Sequence, residues 1–404
     1  MCYYPSMKVI TDERKIDELL TRGVHEVFTK DDLKKKLLSG KQLHLKLGTD
    51  VTGSNLHLGH SVVHRKIRDF QELGHKVTLI IGDFTTLVGD HSDKVDQRAE
   101  TTSTDIKKLE KGYTDQFFKT VLKSQTKIRH NSEWLKKLNF KDVINLTKLF
   151  TISQMLDRET FMLRYKSGNP IDMDEFMYPL MQGYDSVALK ADVEFGGTDQ
   201  TFNLLAGRKI MSHFKMTPQS AVVMKLLTGS DGRPMGKSLK NFIPINDTAN
   251  EMYGKIMSLV DTAIFDYFEL VTRVPMNEII DMKNKVQSGE NPMIFKKILA
   301  KEIVSFYHGT KEAEKAQQNF ANTFQKKEIP DEMEEIKAES GALVSEVLVE
   351  NKVLASKGEW RRLVAGNAIH DLEKNTNISD VDLKINQNLT LKIGKKKFIK
   401  VLVK

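Results

Sequence analysis

The amino-acid sequence predicts an α/β protein built on a parallel sheet, with an all-helical region and a small α+β module behind it. Three observations carry that prediction. Between Leu43 and Ile81 an alternating strand, a loop, an amphipathic helix and a second apolar strand follow one another, and strand, helix, strand means a parallel pair. From about Asn246 to Lys327 apolar residues keep helical spacing, among them Met252, Ile256 and Leu259, then Phe265, Phe268 and Leu270, then Ile294, Ile298 and Phe306. The end of the chain combines a helical start around Trp360 with a strand-turn-strand close. A length of 404 residues gives room for two or three domains and a substantial core.

Composition narrows the class. Hydrophobic residues at 40% and charged residues at 29% describe a soluble globular chain, and no apolar run reaches the roughly 18 residues a membrane span needs. The start, Met-Cys-Tyr-Tyr-Pro-Ser-Met-Lys, lacks a signal peptide's basic and apolar regions, and the single cysteine, Cys2, forbids an internal disulfide. Both fit a reducing cytoplasm. A formal charge of +8 suits a polyanionic partner, but a lysine-rich chain of any kind gives the same excess, so the placement of the charge matters more than its sum.

In chain order, residues 9–40 carry two helical patterns, Ile16, Leu19 and Leu20 and then Leu33, Leu37 and Leu38, divided by Gly23 and by Thr29 as a cap. Leu43, Leu45 and Leu47 alternate with His44 and Lys46 in a strand that Gly48 can end. Thr49 to Asn55 are small or hydrogen-bonding loop residues, with Ser54 or Asn55 placed to cap the helix of Val62, Val63, Ile67 and Phe70, which Gly74 closes. His57 and His60 then stand one turn apart at a helix N-terminus, where free N–H groups and the dipole favour phosphate and Gly59 admits a bulky ligand. Two histidines at this spacing are also compatible with plain surface residues or with two zinc ligands, although no third ligand stands at a zinc spacing nearby. Lys76 to Ile81 is a buried strand ended by Gly82 and Asp83, and the loops after both strands should face one site beyond their carboxyl ends.

Read on residues alone, Asp90, Lys94 and Arg98 at four-residue steps are a helix start with ion pairs. Residues 100–176 form a mostly helical insertion in which Met155, Phe161 and Met162 serve packing. Tyr178, Gln182 and Asp185 stand at zero, four and seven, so one helical face carries three polar groups. They form either a buried network that positions the helix or a pocket for a ligand with hydrogen-bonding groups at both ends. A strand and Gly196-Gly197-Thr198-Asp199-Gln200 follow, then a glycine-containing loop, Asp231-Gly232-Arg233-Pro234-Met235-Gly236-Lys237-Ser238.

These motifs, in this order and over nearly the whole chain, resemble the bacterial type of tyrosyl-tRNA synthetase, a class I aminoacyl-tRNA synthetase. His57-Leu58-Gly59-His60 after Gly48-Thr49-Asp50 resembles the class signature, and Asp90, Lys94 and Arg98 match a Gly-Asp-Pro-Ser-Gly-Lys segment and its following arginine, with His91 for proline and Asp93 for glycine. The resemblance implies a Rossmann-like catalytic domain over 1–245, a helical domain contacting the anticodon stem over 246–327, a linker over 328–340, and an S-four-like RNA-binding domain over 341–404. It implies Asp90, Tyr178, Gln182, Asp185 and Gln200 for L-tyrosine, with Tyr178 and Gln182 on the amino group and Asp185 on the phenol. It implies Asp50, Gly59, Gly197 and Asp199 for the adenosine of ATP. Thr52, His57, His60, Lys94, Arg98, Lys237 and Ser238 would be the catalytic set that stabilises charge at the phosphates, with Mg2+ carried on the pyrophosphate and no metal held by protein ligands.

The sequence departs from the family where Pro234 replaces the mobile loop's first lysine and Gly236 its first serine, leaving Lys237, Ser238 and Arg233 to meet the phosphates. Lys46 stands where some tyrosyl enzymes have a second tyrosine contact. Lys395, Lys396 and Lys397 fit either a solvated face or, beside Arg361 and Arg362, a phosphate-binding surface, for which the resemblance implies tRNA(Tyr) as partner, and a homodimer follows from the family alone. A tryptophanyl enzyme would share the core without the pattern of Tyr178, Gln182 and Asp185. A non-catalytic RNA-binding paralogue would explain the altered loop but not the intact His57, His60, Asp90 and Asp199.

Overall fold

A computed structural model describes residues 8–51, 55–89, 103–235, 239–322, 333–374, 376–394 and 397–403. It divides into two compact units, 1–313 and 314–404. In the first, six strands form one sheet in the order β1-β6-β5-β2-β3-β4, namely β1 Val24–Phe28, β2 His44–Thr49, β3 Lys76–Ile81, β4 Thr126–His130, β5 Val193–Gly197 and β6 Ser220–Met224. The five from β6 to β4 are parallel, and β1 lies antiparallel on the β6 edge. Leu45, Leu79, Ile80, Ile81, Val193 and Val222 are fully buried, each such side chain contributing about 1.5–3 kcal/mol over an exposed one.

The chain runs β2, β3, β4 to one side and then returns to lay β5 and β6 on the other. The direction therefore reverses between β2 and β5, and a ligand crevice forms at such a reversal, beyond the carboxyl ends. The helix Leu58–Glu72 crosses from β2 to β3 with Leu58, Val62, Ile67 and Phe70 buried, and Phe70 meets Phe195 of β5 edge to face at 5.2 Å. Helices Tyr178–Leu189 and Thr201–His213 cross closely at Gly183, where a Cβ would come within 2.5 Å of Ile210 and 3.1 Å of Gly207. Glycine there lets the two helices approach this closely.

Two strands lie where the sequence reading had none. β1 sits between the two N-terminal helical patterns, now the helices Glu13–Leu19 and Lys30–Leu38, and β4 sits inside the stretch expected to be mostly helical. Both are edge strands, half exposed and carrying charged or histidine side chains, so neither shows a buried strand's apolar run. Gly48 is a residue of β2 and does not end it. Among the described residues five α-helices follow the sheet, Ala249–Met257, Ile264–Val271, Met276–Gln287, Pro292–His308 and Thr310–Phe320. Arg22 fastens the second of them by donating to the carbonyls of Phe268, Glu269 and Thr272 at its C-terminal end, at 3.1, 3.0 and 2.9 Å.

The second unit has a sheet in the order β7-β11-β10-β8-β9, with β7 Glu334–Ala338, β8 Ile369–Asp371, β9 Thr376–Asn377, β10 Leu389–Ile393 and β11 Lys397–Val403. β7 lies within the stretch expected as linker and pairs in parallel with β11. Trp360 of the helix Lys357–Ala365 is buried and donates to the Val381 carbonyl at 2.8 Å, centring a core with Leu348, Ile369, Leu391 and Ile399. Among the described residues no helix is long and apolar enough to cross a membrane.

Candidate active site

A cavity of about 310 Å³ opens at the reversal point, lined by the ends of β2, β3 and β5 and by Tyr178, Gln182 and Asp185 from one side and His60 and His64 from the other. Its polar groups are linked in a chain. Tyr178 donates its hydroxyl to Asp50 Oδ2 at 3.0 Å, and Thr85 donates to Asp50 Oδ1 at 2.8 Å. Asn131 then donates Nδ2 to Thr85 Oγ1 at 3.1 Å and receives the Phe84 N–H on Oδ1 at 3.0 Å. Gly82 is required between them, because a Cβ there would stand 2.1 Å from Asp50 Oδ1. Asp50, expected on the nucleotide, thus also fixes Tyr178.

Asp185 is 3% exposed and receives Trp134 Nε1 on Oδ1 at 2.7 Å, with the Asn131 side chain as a second donor. Burial pushes its carboxyl up to about 7, against the nearby Lys46 charge and the Trp134 bond, which pull it down. One turn earlier, Gln182 donates Nε2 to Glu194 at 3.1 Å. Three residues expected to share a helical face therefore do line one cleft, and each is held from another element.

The two signature histidines are placed by the backbone. His57 is the N-cap of its helix, the position expected for Ser54 or Asn55, and its Nδ1 accepts the Gly59 N–H at 3.2 Å. The His57 N–H donates in turn to His60 Nδ1 at 3.2 Å, and the two ring centroids lie 3.9 Å apart. A neutral imidazole that accepts at Nδ1 carries its proton on Nε2, so both rings are set as Nε2–H donors. Gly59 lies under Met235, with His57 and the Met235 sulfur each 3.0 Å from where a Cβ would be. Leu58 N–H donates to the Ile243 carbonyl at 3.0 Å and Ile245 N–H to the Leu56 carbonyl at 2.9 Å, which ties the signature to the chain just after the glycine-containing loop.

That loop is stapled at its base. Asn241 Nδ2 donates to Asp231 Oδ1 at 2.8 Å and to the Pro234 carbonyl at 3.0 Å, and its own carbonyl receives the Ser230 N–H at 2.7 Å. Arg233 donates Nε and Nη2 to Asp231 Oδ2 at 2.8 and 2.6 Å. The Asn241 amide and this guanidinium hold the Asp231 carboxyl down to about 2. Gly197 and Gln200 line the cavity, and Gln200 donates to the exposed Asp199 at 3.1 Å while receiving Asn203 Nδ2 at 2.9 Å. Thr52, Asp90, Lys94, Arg98, Lys237, Ser238, Lys395 and Lys396 lie outside the described residues. In the second unit Arg361 and Arg362 are exposed, whereas Lys397 donates to the Val353 carbonyl at 2.8 Å.

Sequence reasoning passed over Trp134, Asn131, Thr85, Glu194 and His64. The last had a signal, since His57, His60 and His64 fall at zero, three and seven. His64 is 2% exposed, stands edge-on to Phe117 at 4.8 Å, and is pushed down to about 3 by burial.

The family of class I tRNA synthetases (W and Y) matches residues 38–325. The chain is 45% identical to the tyrosine--tRNA ligase of Carboxydothermus hydrogenoformans, covering 95% of this chain and 97% of that one. It is 41% identical to that of Thermotoga maritima, covering 97% and 98%. Among solved structures, a C-terminally truncated Aspergillus nidulans mitochondrial tyrosyl-tRNA synthetase has the same fold at 23% identity and a TM-score of 0.64, over 77% of this chain and 94% of that one. The Archaeoglobus fulgidus tyrosyl-tRNA synthetase complexed with L-tyrosine superposes with a TM-score of 0.61 at 20% identity, over 76% and 100%. With the signature histidines at the helix start and the cleft at the sheet's reversal, this chain belongs to the class I tRNA synthetases of the W and Y group, among the tyrosine--tRNA ligases.

Proposed function

We propose that the chain activates L-tyrosine with ATP, giving tyrosyl-adenylate and pyrophosphate, and then transfers the tyrosyl group to the 3′-terminal ribose of tRNA(Tyr). The observation that carries the choice of amino acid is Asp185, a buried carboxylate with two donors of its own, two turns along the helix from Tyr178. A phenolic hydroxyl reaching it finds an acceptor, whereas phenylalanine leaves that acceptor unpaired.

In this reading a tyrosine carboxylate oxygen attacks the α-phosphorus of ATP. A new P–O bond forms there, the bond to the β-phosphate breaks, and pyrophosphate leaves with its electron pair. No side chain need become a nucleophile, so the work is positioning and charge stabilisation. The Nε2–H groups of His57 and His60 face the phosphates, with Thr52, Lys94, Arg98, Lys237 and Ser238 completing the set. Asp50, Gly59, Gly197 and Asp199 seat the adenosine, and Asp90 and Gln200 assist Tyr178 and Gln182 at the amino acid. Magnesium enters on the nucleotide's phosphates, the usual way this ion is bound beside ATP.

The domain division at 245/246 and tRNA contacts by Arg361, Arg362 and Lys395 to Lys397 belong to the same proposal, whereas the linker expected over 328–340 cannot extend past Glu334, where β7 begins. So do a cytoplasmic location and a homodimer. For the last, the insertion carries several exposed large apolar side chains, among them Phe140, Ile152, Leu163, Tyr165 and Met173. ATP–pyrophosphate exchange with each amino acid separates the readings. Tyrosine-dependent exchange supports this one, tryptophan-dependent exchange favours the sister activity, and none at all favours an RNA-binding paralogue.

A further inference from the structure

A charged pair lies beneath the cleft. Lys46 in β2 and Glu194 in β5 are register neighbours across the two strands at the sheet's reversal. They are 0% and 1% exposed, with Lys46 Nζ 2.9 Å from Glu194 Oε1. Lys46 also donates to the Gln182 backbone carbonyl at 2.8 Å and to Ser186 Oγ at 2.7 Å. Glu194 Oε1 receives Gln182 Nε2 at 3.1 Å, and its Oε2 receives Gln219 Nε2 and, at 3.4 Å, the Ser186 hydroxyl.

Stability is a weak reason for such a pair, because well-packed apolar residues in the place of a buried ion pair often hold a fold as well or better. What the pair does supply is direction. A carboxylate only accepts, so Gln182 turns its NH2 towards Glu194 and its Oε1 away from it, and Gln182 is itself a lining residue of the cavity. An ammonium group only donates, and a carboxamide oxygen is the partner it needs. Lys46 Nζ lies 2.9 Å from the same Glu194 Oε1 that receives Gln182 Nε2, so that oxygen is held between two donors and the amide cannot turn its own oxygen onto it.

We propose that the Lys46–Glu194 pair is a positioning device for substrate recognition, orienting the Gln182 carboxamide so that its oxygen receives the α-ammonium group of the amino acid. This rests on the reading of Gln182 as an ammonium ligand. Neither member of the pair touches the substrate.

The test is equilibrium binding of L-tyrosine and of 3-(4-hydroxyphenyl)propionate, which lacks only the amino group, to the full-length protein. The double variant Lys46→Met/Glu194→Gln keeps volume and removes both charges. It should weaken tyrosine about tenfold or more, the scale of one charge-assisted hydrogen bond, and leave the propionate within about twofold of the parent. Equal weakening of both ligands would mean a merely structural role and overturns the proposal, as does unchanged tyrosine binding. Should the double variant not fold, Glu194→Gln alone decides the matter: a loss of about threefold or more confined to tyrosine supports the proposal, and an unchanged ratio of the two affinities overturns it. Gln182→Ala is measured beside them. If it spares tyrosine, the reading of Gln182 falls and the pair's role with it; if it weakens tyrosine while the pair variants do not, only the role of the pair is wrong.

Discussion

At Asp185 burial opposes charge, and the outcome can be read in both specificity and stability. Its carboxyl is pushed from 3.8 up to about 7, so between those values the folded protein holds a proton that the unfolded chain has released. Its contribution to stability is therefore fullest in acid and is lost as pH rises through about 7. His64 has the opposite sign: burial moves it from 6.5 down to about 3, so its contribution is full above 6.5 and is lost as pH falls towards 3. In denaturant titrations from acid to neutral pH, Asp185→Asn should remove the fall in stability on approaching neutrality, and His64→Leu the fall on going into acid. Each variant should expose the slope of the residue that remains. Tyr178, Gln182 and Asp185 were legible in the sequence because one helix spaces them at zero, four and seven. Their partners Trp134, Asn131, Lys46 and Glu194 were not, because they arrive from other elements and a hydrogen bond across the fold leaves no period in the chain.

Among the elements, β2, the helix after it and β3 were legible because a buried parallel strand and an amphipathic helix write their burial into the sequence. The edges β1 and β4 were not, since half-exposed strands carry charges and no apolar run. The glycine-containing loop illustrates a different limit. Its substitutions raised Arg233 as a stand-in for the missing lysine, yet the guanidinium is bound to Asp231 at the base of the loop. Arg233→Ala should therefore lower the rate of adenylate formation by less than about tenfold. Lys237→Ala should lower it by roughly 10²-fold or more, the scale of losing one preorganised charge-stabilising donor, with tyrosine affinity nearly unchanged. Asn241→Ala should fall between them, because it loosens the staple without removing the charge. Pre-steady-state adenylate formation checks all three, and equal losses at Arg233 and Lys237 would show that the guanidinium leaves Asp231 to join the phosphates.

For the whole molecule, the second unit has its own sheet and its own core around Trp360, so its loss should leave the adenylation site intact. A chain ending at Asn322 should keep tyrosine-dependent pyrophosphate exchange within about twofold and charge tRNA poorly, while the full chain's own charging should weaken steeply with salt as phosphate contacts yield to counterions. Collapse of exchange in a folded truncation would contradict the division of labour. The central claim, that the cleft selects tyrosine through a buried acceptor for its hydroxyl, is tested most directly by comparing kcat/KM for tyrosine and phenylalanine in ATP–pyrophosphate exchange. Tyrosyl-tRNA synthetase is itself the standard example of such rejection, about 10⁵-fold without editing, and the expectation for this chain borrows that known scale. The account predicts discrimination of that order in the parent protein and its collapse in Asp185→Asn; comparable activation of the two amino acids by the parent protein would contradict it.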